Sequence, residues 1–237
     1  MDSNLILIVS CGRRYSLLEK TINALGRNLS NITTIFKKVW IFDDKSSANE
    51  RIQIEKLFQK WFDDNFNQIN FNNREQLAFI DKFNFIRNVI NEKDIVFFLE
   101  DDWELNTNFD ILKHKERLEL ETEWDLISFT DPLDIQDETI QKKFIIDDIY
   151  WKNPYPEYYK HPVKWFENGS CFWKLGRMNN WTNNPALIKG SVYFKNSFQY
   201  ERGFEGIFAD SMKSNHVFTN YCYFNHIGYD ASLIDRL

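Results

Sequence analysis

The chain has 237 residues and a formal net charge of −6, with 43% hydrophobic and 17% aromatic residues, which suits one domain with a substantial core and excludes a disordered chain. An acidic balance without a basic cluster argues against a nucleic-acid backbone as partner, and no apolar run is long enough for a transmembrane helix or a signal core. Cys11, Cys171 and Cys222 form neither a zinc pattern nor a disulfide framework, so a soluble protein of the reducing cytoplasm is expected.

Leu5-Ile6-Leu7-Ile8-Val9 is a short apolar run and predicts a buried strand that breaks at Ser10-Cys11-Gly12-Arg13-Arg14. Ser16 and Glu19 have the spacing of a capping box, and Leu18, Ile22, Leu25 and Leu29 fall on one helical face. A second strand is expected over 37–42, ending in Asp43-Asp44. Ser47 and Glu50 offer another capping box, ahead of a face made by Ile54, Leu57, Phe58, Trp61 and Phe62. Strand, loop and capped helix thus occur twice, which predicts a parallel sheet joined by right-handed crossovers. Phe71-Asn72-Asn73 reads as a polar joint. Residues 75–91 predict a third helix that buries Phe79, Phe83, Ile86 and Ile90, with Lys82 and Arg87 beside that face.

Ile95-Val96-Phe97-Phe98-Leu99 then runs straight into Glu100-Asp101-Asp102-Trp103. The apolar run predicts a strand buried on both faces, with the acids at its C-terminal end, the edge where open α/β sheets bind ligands. Three adjacent acids repel one another, and a hard divalent cation that takes oxygen ligands and bridges to phosphates is their natural partner. A solvated acidic turn is the plain alternative. A helix is expected over 106–121 and a strand over 124–130. From Asp131 the texture changes: Pro132, Pro154, Pro156 and Pro162 punctuate a stretch rich in Tyr and Trp, which predicts loops and short antiparallel strands over 134–181. Beyond it are expected a strand at 185–189, a helix starting in 190–198, a short helix at 205–213 and an aromatic strand at 219–225 before His226-Ile227-Gly228.

Three strand ends therefore carry polar groups: Ser10-Cys11-Gly12-Arg13, Asp43-Asp44 and Glu100-Asp101-Asp102. A parallel sheet places all three on one edge, and that convergence is more informative than any one of them. Arg13 and Arg87 are candidate phosphate contacts. Asp43 or Asp44 could accept from a base or a ribose hydroxyl, or simply start the following helix.

These residues resemble the GT-A fold glycosyltransferases. Leu99-Glu100-Asp101-Asp102-Trp103 is similar to the DxD-type motif of that fold, alongside the Cys11-Gly12-Arg13 loop and the Phe42-Asp43-Asp44 strand end. Within the fold the chain most resembles the inverting enzymes of the N-acetylglucosaminyltransferase I kind, which the helix Lys82-Phe83-Asn84-Phe85-Ile86-Arg87 also suggests, and the large family-two group. The resemblance implies a single α/β domain over 1–237, with a mainly parallel sheet flanked by helices. Residues 1–130 would be the nucleotide-sugar half, and 131–237 a smaller, irregular or antiparallel half for the acceptor and catalysis.

The resemblance also implies roles. Asp102 would be the direct ligand of Mn²⁺ or Mg²⁺, which bridges the diphosphate of a nucleotide-sugar donor such as a UDP-sugar. Glu100 and Asp101 would contact ribose or metal-bound water, and Asp43 or Asp44 the base. Ser10, Cys11, Arg13, Lys82 and Arg87 complete the donor side. Gly203-Phe204-Glu205-Gly206-Ile207-Phe208-Ala209-Asp210 is similar to the segment that carries the base of inverting enzymes, although its aspartate-rich form is not reproduced. Glu205 would be that base and Asp210 the reserve, while Glu205 would equally suit a helix N-terminus. His226 resembles a further metal ligand, and neutral imidazole suits Mn²⁺ better than Mg²⁺. His114, His161 and His216 have no comparable context. The expected function is metal-dependent transfer of a sugar to a glycan or other hydroxyl acceptor, with inversion. One alternative is a sugar-phosphate nucleotidylyltransferase, which needs a Gly-rich loop where this chain has only Gly12. Another is a non-catalytic nucleotide-sugar-binding module.

Overall fold

All seven residues of β1 (Leu5–Cys11) are buried, as expected of an apolar strand covered on both faces. The computed structural model describes residues 3–71, 75–129, 149–152, 185–195, 216–219, 221 and 223–228. After β1 come α1 (Tyr15–Asn28), a single turn α2 (Ile32–Ile35), β2 (Lys38–Asp44), α3 (Ala48–Phe62), β3 (Phe66–Phe71), α4 (Glu75–Val89) and β4 (Ile95–Glu100). Next are β5 (Trp103–Leu105), α5 (Ile111–Leu120), β6 (Leu126–Ser128) and β7 (Tyr150–Lys152). The last described elements are β8 (Ala186–Lys189), α6 (Gly190–Lys195), β9 (His216–Thr219) and β10 (Phe224–His226).

Eight strands form one sheet in the order β3-β2-β1-β4-β8-β6-β9-β7. The pairs β1/β2, β1/β4, β2/β3 and β6/β9 are parallel, and β4/β8, β6/β8 and β7/β9 are antiparallel. The sheet therefore runs without a break from strands before residue 131 into strands after it. Alternation along β1 sends Leu5, Leu7 and Val9 into a core shared with α1, α3 and α5, and Ile6 and Ile8 into one shared with α4 and α6. Each fully buried Leu, Ile or Phe on these faces contributes about 1.5–3 kcal/mol.

The expected helical faces are buried as predicted at Leu18, Ile22, Leu25 and Leu29 and at Ile54, Leu57, Phe58 and Phe62. Trp61 is half-buried against Gly26, where a Cβ would lie 2.3 Å from the indole ring. Ser47 and Glu50 form the complete capping box at the start of α3. Ser16 and Glu19 do not. Helix α1 begins earlier, after Arg14, whose carbonyl accepts from Leu17 and Leu18 while its side chain is held elsewhere.

Two other expectations are corrected. Helix α5 starts at Ile111 and not near 106, because the Asp110 carboxylate accepts from the Lys113 N–H and caps it there. The aromatic strand expected over 219–225 is two strands in different sheets. Thr219 ends β9 and its hydroxyl donates to the Tyr221 carbonyl at 2.8 Å, and β10 then pairs antiparallel with β5. The strand β3 has no counterpart in the sequence reading. The expected helix at 205–213, and most of the irregular stretch over 134–181, lie outside the described residues.

Candidate functional site

The register of the sheet sets the site. Ser10 pairs with Phe42 on one side and Glu100 on the other, and Cys11 pairs with Asp43. The three polar strand ends thus stand level on one edge. They open onto a cleft of about 340 Å³ lined by Ser10, Cys11, Gly12, Arg13, Arg14, Asp44, Lys45, Lys82, Glu100 and Asp101.

Close backbone approach holds the loops together. A Cβ on Gly12 would lie 2.5 Å from the Asp44 carbonyl oxygen, so only glycine lets the first loop meet the second. The Arg13 N–H donates to Ser46 Oγ at 3.2 Å, and Arg13 and Lys45 both adopt left-handed backbone angles, φ 53° and 63°. Lys82 reaches up from α4, 94% buried, and its Nζ donates to Ser10 Oγ at 3.0 Å. A buried ammonium hydrogen-bonded to a hydroxyl at the floor of a cleft favours an anionic ligand. Cys11 is buried, and burial first, then the nearby Asp101 and Asp43, push its thiol well above the ordinary value, so it is an inert wall of the site.

Arg14 governs the acids. Its Nη1 donates to Asp102 Oδ2 at 2.9 Å, its Nε to Asp101 Oδ2 at 3.3 Å, and its Nη2 makes a short contact with Asp101 Oδ1. The Gly12 N–H adds a bond to Asp101 Oδ2 at 3.2 Å. Burial pushes the Asp101 carboxyl up to about 6 against the opposing charge of Arg14, and the neighbouring Asp102 adds to the rise. Burial also acts to raise Asp102, but the hydrogen bond from His226 and the charge of Arg14 prevail and hold it below the ordinary carboxylate range.

The β5/β10 ribbon delivers His226, which pairs with Trp103 and lies tilted against its ring at 4.8 Å between centroids. His226 Nε2 lies 3.3 Å from Asp102 Oδ2. The Ile227 N–H donates to the Asp102 carbonyl at 2.8 Å, and Gly228 packs so closely that a Cβ would come within 2.3 Å of Oδ2. Among the described residues no three His, Cys, Asp or Glu side chains gather into a metal cage. Asp102 and His226 nonetheless fit part of a cation's shell. Asp102 Oδ1 is buried with no hydrogen-bond partner, and a carboxylate beside an imidazole is a donor set suited to Mn²⁺ with phosphate oxygens and water.

The cleft thus gathers Ser10, Cys11, Arg13, Asp44, Lys82, Glu100 and Asp101 from the expected residues, with Asp102 and His226 adjoining. Asp43 is fully buried behind it, with one carboxylate oxygen paired to Arg51 Nε at 3.1 Å, and Asp44 is the acid of the pair that lines the cleft. Arg87 lies over the Phe194 ring at 5.9 Å and does not line the cleft. Glu205 and Asp210 lie outside the described residues. Sequence reasoning missed Arg14, Lys45 and Gly228. Arg14 had a signal, since three adjacent acids need a cation and Arg13-Arg14 occupies a convergent loop, but nothing local chooses between the two arginines.

The architecture is the GT-A fold of nucleotide-sugar transferases. No protein-family model matches the chain, and no curated protein does. Among solved structures it is similar to the mannosyltransferase PcManGT from Pyrobaculum calidifontis in complex with GDP-Man and Mn²⁺, at 12% identity and TM-score 0.60, over 100% of this chain and 61% of that one. It is similar to S. aureus TarS in complex with UDP-GlcNAc at 11% identity and TM-score 0.56, over 93% of this chain and 57% of that one. A third likeness, at 12% identity and TM-score 0.51, is to 4-diphosphocytidyl-2C-methyl-D-erythritol synthase from Anaerococcus prevotii, over 98% of this chain and 94% of that one. The chain spans about three fifths of the first two structures. At these identities the likeness establishes the fold.

Proposed function

We propose that the chain is a metal-dependent glycosyltransferase that moves a sugar from a nucleotide-diphosphate donor, a UDP-sugar, to an acceptor hydroxyl with inversion. The observation that carries this reading is the convergence of three strand ends on one cleft, where Arg13, Lys45 and the buried Lys82 offer charge to a diphosphate beside the Asp101-Asp102 pair. Asp44 and Glu100 would accept hydrogen bonds from the base and ribose. Asp102 and His226 would hold Mn²⁺, or Mg²⁺ less well, and when bound the ion supplies Lewis-acid stabilisation of the departing diphosphate. Negative charge grows on that diphosphate as the glycosidic bond breaks, so the cations that meet it act most strongly in the transition state. Glu205, with Asp210 in reserve, would take the acceptor's proton as its oxygen bonds to the anomeric carbon.

A second reading, a nucleotidylyltransferase, has the matching length of the synthase structure in its favour. The single glycine in the 10–14 loop counts against it, because wrapping a triphosphate needs several. The test is a thermal-shift screen of nucleotide sugars with and without Mn²⁺, followed by nucleotide release from the best donor. Asp102→Asn should lower Mn²⁺-dependent UDP release by about 100-fold or more, the scale of losing one stabilising contact in the transition state. Unchanged release would remove Asp102 from the metal site. Pyrophosphate release from a nucleoside triphosphate and a sugar phosphate would favour the second reading.

A further inference from the structure

The two carboxylates of Asp101 and Asp102 present four oxygens, and three are engaged. Both oxygens of Asp101 take Arg14, one of them also the Gly12 N–H, and Asp102 Oδ2 takes Arg14 and His226. Only Asp102 Oδ1 is buried without a partner. The Arg14 main chain is anchored at the start of α1, where its carbonyl accepts from the Leu17 and Leu18 N–H groups at 2.9 and 3.1 Å. The acids are fixed as well: the Asp101 carbonyl accepts from Thr21 Oγ1 at 2.9 Å and that of Asp102 from the Ile227 N–H at 2.8 Å. The pair therefore already carries a rigid counter-cation.

From this geometry we propose that Arg14 is a positioning residue that makes divalent-cation binding at Asp102 conditional on the donor's diphosphate. The inference rests on the donor site proposed above. A divalent ion at Oδ1 shares its carboxylate with a fixed guanidinium, and like charges at that range in a partly dehydrated site repel strongly. Alone, the chain gains little by taking up the ion, since Arg14 already offsets the acids. A diphosphate in the cleft faces both cations and turns their repulsion into joint attraction. Metal and nucleotide are then linked reciprocally, each tightening the other. The bare acids stay unloaded until the donor arrives.

The experiment is Mn²⁺ binding, read from the loss of the free-ion electron paramagnetic resonance signal, for wild type, Arg14→Gln and Arg14→Lys, with and without UDP. Wild type should bind weakly alone and at least about tenfold tighter with saturating UDP. Arg14→Gln should bind Mn²⁺ alone about tenfold tighter than wild type and lose most of the UDP enhancement. Arg14→Lys keeps the charge but lacks the planar fork and so preserves the folded site if the glutamine variant melts; it should shift in the same direction by a smaller factor. If neither variant binds Mn²⁺ more tightly than wild type while UDP still enhances binding, the role given to Arg14 is overturned and the donor site stands. If no form binds Mn²⁺ even with UDP, the metal-dependent reading falls, and this inference with it.

Discussion

Gly228 shows how much of this site depends on a single missing atom. Its Cα packs on Asp102 so closely that a Cβ would lie 2.3 Å from Oδ2 and 2.8 Å from the aspartate Cβ. Both contacts are shorter than packed atoms tolerate, so Gly228→Ala must push the carboxylate away from His226 and Arg14. We expect this variant to lose Mn²⁺-plus-UDP stabilisation in a thermal-shift titration while losing only about 1–3 kcal/mol of stability in urea without ligand. Full retention of the ligand-induced shift would show that the Asp102 carboxylate can move without consequence. Asp43 and Asp44 teach the same lesson. They are chemically identical neighbours at a strand end, and the two-residue period of the strand buries one against Arg51 and leaves the other facing the cleft.

Helix starts separate what local sequence decides from what the surroundings decide. Ser47 caps α3 through a box closed within four residues, its hydroxyl accepting from the Glu50 N–H and its own N–H donating to the Glu50 carboxylate. Ser16, with the same spacing to Glu19, sits inside α1, because the Arg14 side chain is fixed by the Asp101 and Asp102 carboxylates in the turn after β4 and the helix begins where that anchor leaves the chain. Ser47→Ala should therefore cost about 1 kcal/mol in urea denaturation, and Ser16→Ala only a few tenths. Equal losses at the two serines would contradict this account of α1. The β5/β10 ribbon is the other element that local reading could not place: its partners are 119 residues apart at Leu105 and Phe224.

For the whole molecule, two buried histidines contribute to the response to acid. His114 lies among Phe109, Phe129 and Tyr150, with Nδ1 2.7 Å from the Tyr150 hydroxyl, and burial first, then Lys113, push it down to about 4. His216 sits in the sheet against Ser128 Oγ at 2.8 Å, and burial pushes it down to about 3. Both are neutral in the native state and bind protons on unfolding. The stability they contribute is complete above their unfolded value near 6.5 and is lost as pH falls towards 4 and 3, by up to about 1.4 kcal/mol per pH unit for each. Asp101 works the other way, since a carboxyl raised to about 6 takes up its proton while still folded as pH falls below that value. The net expectation from these three groups is a loss of about one histidine's share per unit between pH 6 and 4, read as falling urea midpoints. A flat profile over that range would mean that the histidines are solvated.

Much of the architecture was legible in the sequence because it is written in periods. The strands β1, β2 and β4, the buried faces of α1 and α3, and the convergence of three polar strand ends follow from apolar runs and helical spacing, which act over a few residues. The parallel α/β class followed from them, while the GT-A fold and most of the donor-side candidates came from the resemblance carried by the short motifs at the strand ends. Tertiary structure alone decided which arginine neutralises the acids, which of two adjacent aspartates faces the cleft, that β3 extends the sheet edge, and that β10 crosses back to set His226 and Gly228 against Asp102. Each of these rests on contacts between segments far apart in the chain, where burial and charge pairing outweigh local preference, and no local pattern records the partner.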